Sequence, residues 1–143
     1  MSSKLVVVVD YGMGNLRSVQ KGFEKIGTEA SILSAPEELD NCSAIVLPGV
    51  GAFKKCIQNL DNLNLITPVI KSIEKGKPFL GICLGLQALF TESHEFGITQ
   101  GLGVIQGRVI RFDIQEHHEL KVPHIGWNSI NMHPPALPCA VFQ

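Results

Sequence analysis

A chain of 143 residues, 45% of them hydrophobic and few aromatic, can bury one sizeable core, and its formal net charge of -1 gives no electrostatic footing for nucleic acid or an anionic membrane. The only early apolar run, Leu5 to Val9, stops at Asp10, so neither a signal peptide nor a membrane span is expected. Four widely spaced cysteines without CxxC or HxxxH spacing exclude a zinc site and a disulfide scaffold, and a reducing cytoplasm is the expected setting.

Leu5 to Val9 is a continuous β-branched run, the pattern of a strand buried on both faces of a parallel sheet. Asp10-Tyr11-Gly12-Met13-Gly14-Asn15 follows as a turn. Asn15 is the expected N-cap of a helix through Ile26, with Leu16, Val19, Phe23 and Ile26 on one face and Gly27 just past its end. Ala30 to Leu33 is a short strand, and Ser34 with Glu37 is a possible capping box for one helical turn. Ala44 to Leu47 is the third strand, stopping at Pro48-Gly49-Val50-Gly51. Ala52 to Leu60 is a weakly patterned helix. Thr67-Pro68 reads as an N-cap and first position, starting a helix that ends at Gly76. Phe79 to Ile82 is the fourth strand, and the helix after Cys83 is expected to carry Leu86, Leu89 and Phe90.

This rhythm predicts an α/β domain, a mostly parallel sheet with helices on both faces and ligand sites at the carboxyl ends of its strands. Beyond Glu92 the pattern changes. Gly107 to Phe112 alternates as a strand, and Lys121 to Asn128 leads into Ser129 to Met132, an appended antiparallel β segment. The whole chain, 1–143, reads as one domain without repeats or linkers.

Gly81-Ile82-Cys83-Leu84-Gly85 carries the chemistry. A cysteine between two glycines, where a strand turns sharply into a helix, is the pattern of a nucleophile elbow. Glycine is required on both sides because a Cβ there would strike the neighbouring strand or helix. The helix N-terminus favours thiolate, and the Leu84 N–H can face a developing oxyanion. Cys42, Cys56 and Cys139 read instead as small buried hydrophobes.

Pro48-Gly49-Val50-Gly51 reads either as an ordinary strand-to-helix turn or as a source of a second oxyanion donor. Gly12-Met13-Gly14 lacks the third glycine and the lysine of a phosphate loop, which excludes nucleotide binding. The pair His117-His118 has no ligand spacing for a metal. His94, His117, His118, His124 and His133 are the candidate bases for a cysteine nucleophile. None stands at the end of a core strand, and His94 is nearest in sequence to Cys83.

Four ordered blocks, Asp10 to Leu16, Pro48 to Gly51, Gly81 to Gln87 and Val122 to Asn128, resemble the class I glutamine amidotransferases. They are most similar to the glutaminase subunits of imidazole glycerol phosphate synthase, and the resemblance covers about residues 4 to 133. It implies a flavodoxin-like fold and hydrolysis of glutamine to glutamate and ammonia through a Cys83 thioester, with no cofactor and no metal. Leu84, Val50 and Gly51 would form the oxyanion site. Gly49, Gly51, Gln87 and Glu95 would hold glutamine. The Gly49–Gly51 segment would reorient under a partner's control. That partner is implied to be a (β/α)8-barrel cyclase of histidine biosynthesis, met by Asn15, Pro123, His124, Gly126 and Trp127, the last read by itself as a core residue. The family's His-x-Glu pair, downstream of the Gly-Trp-Asn block, is absent from the 143 residues. The expectation is a truncated chain with little turnover and an open sheet edge. A non-catalytic partner-binding fragment and another flavodoxin-like cysteine hydrolase are the alternatives.

Overall fold

A computed structural model describes residues 5–113 and 121–129. The chain divides into two compact units, Met1–Arg111 and Phe112–Gln143. In the first, β1 (Val6–Val9), α1 (Leu16–Lys25), β2 (Ala30–Leu33), a 3-10 turn (Pro36–Leu39), β3 (Ala44–Gly49), α2 (Phe53–Asn62), α3 (Ile66–Glu74), β4 (Phe79–Cys83) and α4 (Leu84–Gln87) follow one another. Three short strands then follow, β5 (Phe90–Ser93), β6 (Thr99–Gln100) and β7 (Ile105–Val109). In the second unit the described residues 121–129 form bends without helix or strand, all exposed.

The main sheet has the order β2-β1-β3-β4, all parallel. The β-branched run of β1 fits its place in the middle, where alternate residues face opposite sides and both sides are covered. Val7 and Val9 join Ile45, Leu47, Leu60, Leu65 and Val69 on the α2–α3 side. Val6, Val8 and Val46 form the other cluster, under Leu16, Val19 and Phe23 of α1. Each fully buried side chain of this kind is worth about 1.5–3 kcal/mol. From β1 the chain passes to β2 on one side and returns to β3 on the other, so the carboxyl ends of β1 and β3 flank a topological switch point.

Local boundaries differ from the sequence expectation in definable ways. Asn15 does cap α1, its side-chain oxygen accepting from Ser18 N at 3.3 Å, and Gly27 follows with φ +79°. Ile26, however, is the C-cap and 74% exposed, off the apolar face. The capping interaction near Ser34 and Glu37 is shifted: Glu38 accepts from Ala35 N at 3.1 Å. Pro36 starts the turn, and the residue before a proline is held extended, which places the cap at Ala35. α3 begins at Ile66 rather than after Thr67, because Leu65 is fully buried and its N–H is held by the Leu60 carbonyl. Pro68 is still within the first turn, where its missing N–H would have had no partner.

The largest correction follows Cys83. α4 ends at Gln87, and Phe90 opens a strand instead of closing a helix. The backbone N–H groups of Leu102, Ile105, Gly103 and Gly101 donate to the carbonyls of Ala88, Leu89, Phe90 and Thr91. Those carbonyls are thereby taken from any continuing helix. β5 pairs antiparallel with β6 and parallel with β7, so the added sheet is mixed rather than antiparallel. The expected strand at Gly107–Phe112 lies instead at Ile105–Val109. Lys121 to Ser129 contains no strand among the described residues, and Ile130 to Met132 lie outside them.

Candidate functional site

Cys83 is the last residue of β4 and the N-cap of α4, with φ 53° and ψ -114°. Among the described residues one other non-glycine has positive φ, Asn64, in the turn after α2. Asparagine tolerates that region, whereas cysteine at this ψ is strained by about 1–3 kcal/mol. Pairing of Leu47, Pro48 and Gly49 on β3 with Gly81, Ile82 and Cys83 on β4 holds the strained residue in place. A Cβ on Gly81 would lie 2.7 Å from the backbone of Leu86. One on Gly85 would lie 2.7 Å from the Leu47 carbonyl carbon and closer still to its oxygen. α4 thus packs backbone to backbone on β3 and β4. The result is an exposed thiol with no hydrogen-bond partner among the described residues.

Gly49 stands opposite Cys83 in register at the end of β3. It too has no room for a side chain: a Cβ would meet the Tyr11 hydroxyl at 2.5 Å and Leu84 Cβ at 2.9 Å. Val50 is 57% exposed, and Gly51 adopts φ +98°. Leu84 is buried as the first residue of α4, where its N–H has no acceptor within the helix. Gln87 is exposed four residues after Cys83, on the same face of that turn.

Glu95 lies after β5, and its carboxylate accepts from Phe53 N at 2.9 Å, at the positive end of α2. Its own N–H donates to the buried Ser93 hydroxyl. The structure therefore brings Glu95 to the residue that closes the Gly49–Ala52 segment. His94 is engaged elsewhere: its Nε2 is 2.7 Å from Glu92 Oε1. That bond, the charges of His94 and Arg108 and a bond from Gln100 hold the Glu92 carboxyl below its ordinary range, against a smaller opposing effect of burial. No hydrogen bond joins His94 to Cys83 among the described residues. His117, His118 and His133 fall outside the described residues, as does Cys139.

Asn15 is exposed at the start of α1. Pro123, His124, Gly126 and Trp127 are all exposed in the second unit, with Trp127 fully so. An open groove of about 530 Å³ is lined by Asp10, Leu16, Arg17, Gln20, Ser31, Ile32 and Leu33, at the ends of β1 and β2, and does not include Cys83.

Tyr11 is a residue that sequence reasoning passed over. It is 1% exposed, and its hydroxyl donates to the Pro48 carbonyl at 2.8 Å. The buried Cys56 thiol donates to the same hydroxyl at 3.6 Å, and Asn59 Nδ2 donates to the Tyr11 carbonyl at 2.9 Å. Burial first, then the hydrogen bond and charge of Cys56 and the charge of Cys83, push the phenol far above its ordinary range. Burial also raises Cys56, partly offset by its bond to Tyr11. The signal was available: the chain's only tyrosine, directly after the most buried strand, needs a hydrogen-bond partner inside.

The family model described as "Glutamine amidotransferase class-I" matches residues 7–137. The chain belongs to the class-I glutamine amidotransferases. Among curated members of this family, the "Imidazole glycerol phosphate synthase subunit HisH" of Syntrophotalea carbinolica is 56% identical over 135 residues, covering 92% of this chain and 66% of the relative. The protein of the same description from Geobacter sulfurreducens is 53% identical, covering 92% and 65%. This amidotransferase chain thus spans about two thirds of the length of those relatives. A solved glutamine amidotransferase superposes with TM-score 0.63 at 25% identity, over 73% of this chain and 56% of the other. A putative peptidase E protein from Listeria monocytogenes shares the fold, with TM-score 0.61 at 14% identity over 73% and 64%. The flavodoxin-like architecture expected from the sequence is the one found.

Proposed function

We propose that this chain carries the glutamine-hydrolysing site of an imidazole glycerol phosphate synthase. The observation that carries the reading is Cys83 itself: an exposed thiol on a strained turn, between two glycines that have no room for a side chain, opposite the Gly49–Gly51 end of β3. In this reading Sγ attacks the side-chain carbonyl carbon of glutamine. Ammonia leaves, a glutamyl thioester forms, and water hydrolyses it to glutamate. The N–H of Leu84 and a backbone N–H of Val50 or Gly51 stabilise the oxyanion. Gly49, Gly51 and Gln87 line the glutamine site. Glu95 sits at its rim, with one carboxylate oxygen on Phe53 N.

The second half of the reading is the partner. Asn15 in the first unit and, separately, the exposed block Pro123, His124, Gly126 and Trp127 in the second are the residues each assigned to contact with a (β/α)8-barrel cyclase subunit that receives the ammonia, in the cytoplasm. A fully exposed tryptophan supports this, because such anchors are enriched in interfaces.

The test is covalent labelling with a chloroketone analogue of glutamine, read by mass spectrometry. Saturable modification at Cys83, blocked by glutamine and lost in Cys83→Ala, is the expected result. Modification without glutamine protection, or at Cys42 and Cys56 instead, would overturn the assignment.

A further inference from the structure

Tyr11 stands out among the buried polar groups because its hydrogen bonds reach two elements, α2 and the end of β3 that faces Cys83. We propose that Tyr11 is a positioning residue for that segment: its buried hydroxyl fixes the Pro48–Gly49 peptide plane and confines turning to the planes between Gly49 and Ala52. This deepens the glutaminase reading and rests on it.

A peptide unit is rigid and planar, so a bond that fixes the Pro48 oxygen also fixes the direction of the Gly49 N–H. Pro48 adds its own restraint, since its ring locks φ. Tyr11 has no slack with which to follow a moving strand. Its ring is buried, Asn59 holds its carbonyl, Cys56 donates to its hydroxyl, and that hydroxyl lies 2.5 Å from where a Gly49 Cβ would be. The far end of the segment is held independently, by the Glu95 carboxylate on Phe53 N.

Between those two anchors, past the pairing of Gly49 with Cys83, no hydrogen bond holds Val50 or Gly51 among the described residues. Val50 is largely exposed, and Gly51 already adopts a left-handed φ of +98°. The Gly49–Val50, Val50–Gly51 and Gly51–Ala52 peptide planes are therefore the ones free to turn an N–H toward Cys83. The hydroxyl keeps its proton throughout the neutral range, because burial and the neighbouring thiol both oppose ionisation, so it remains a donor to Pro48.

The experiment compares Tyr11→Phe, which removes one oxygen, with wild type and with Val69→Ala, a core variant of α3 that leaves the Tyr11 hydroxyl in place. With the glutamine chloroketone, the maximal labelling rate of Cys83 in Tyr11→Phe is expected to fall about tenfold, the order of one net hydrogen bond, while the half-saturating concentration stays within about twofold. Iodoacetamide, which forms no oxyanion, should label both proteins at the same rate. Amide hydrogen exchange at Gly49 should accelerate about tenfold in Tyr11→Phe only. A maximal rate within twofold of wild type, or an equal fall in Val69→Ala, would overturn the proposal. If wild type shows no saturable labelling, the glutaminase reading fails on its own account. Hydrogen exchange then decides the positioning role: acceleration at Gly49 supports it, and unchanged exchange refutes it.

Discussion

Replacing Gly85 by alanine adds one methyl group at the tightest point of the elbow. The new Cβ would lie 2.7 Å from the Leu47 carbonyl carbon and nearer its oxygen, both main-chain atoms of a central strand that cannot swing aside. An ordinary contact there is about 3.5 Å or more, so α4 must lift away from β3, or the pairing of Leu47 to Gly49 with β4 must open. Overpacking of this kind costs about 1–3 kcal/mol. Losing one or two ladder bonds adds about 0.5–1.5 kcal/mol each, for a sum of about 1.5–6 kcal/mol. Domains of this size are stable by only about 5–15 kcal/mol, so the variant should remain folded with a much lower denaturation midpoint. Far-UV circular dichroism in urea is the appropriate readout, because the single tryptophan, Trp127, is fully exposed and its emission reports little of the core. The same substitution at Gly22, in α1 with nothing within 4 Å of the added methyl, should instead stabilise by about 0.5–1 kcal/mol. A loss below about 1 kcal/mol in Gly85→Ala would refute the claim that α4 is seated backbone to backbone on β3.

Asn15→Ala should cost about 1 kcal/mol in the same urea assay through loss of the cap on Ser18, and Asn15→Asp should recover most of it. Glu95→Gln should cost about 0.3–1 kcal/mol by removing the negative charge at the start of α2, and equal stability at low ionic strength would show the contact to be without effect. Glu92 should titrate below the usual carboxylate range in a carbon-13 NMR titration, and His94→Ala should return its midpoint upward. Because the folded value is the lower one, the stabilisation from this pair is present above the unfolded carboxylate pKa. It is lost as pH falls through the folded value, so acid should weaken it.

The central sheet was legible in the sequence because its strands are buried on both faces, and such strands read as unbroken apolar runs at Val6–Val9 and Ala44–Leu47. The elbow was legible because its two glycines have a steric cause that a sequence displays. The course of the chain after Gln87 was not. Leu86, Leu89 and Phe90 have helical spacing, and what ends the helix is a set of hydrogen bonds from Gly101 to Ile105, more than ten residues away. The support beneath the site was equally hidden. Tyr11 meets Pro48 and Cys56 at separations of 37 and 45 residues, and Glu95 meets Phe53 at 42, distances over which no local pattern speaks.

Those long separations bear on when the thiol acquires its geometry. The left-handed φ of Cys83 is tolerated because β4 lies against β3, and β3 against β1, in an order that follows synthesis. A nascent chain that has made Cys83 but not yet docked β4 has no contact that would hold that dihedral, and the residue relaxes into the ordinary extended region. The strained turn is thus a reporter of completed assembly. Rapid mixing out of urea, with a fast thiol probe as clock, should find the turn forming in the same kinetic phase as the parallel sheet, a slow phase for so non-local a topology.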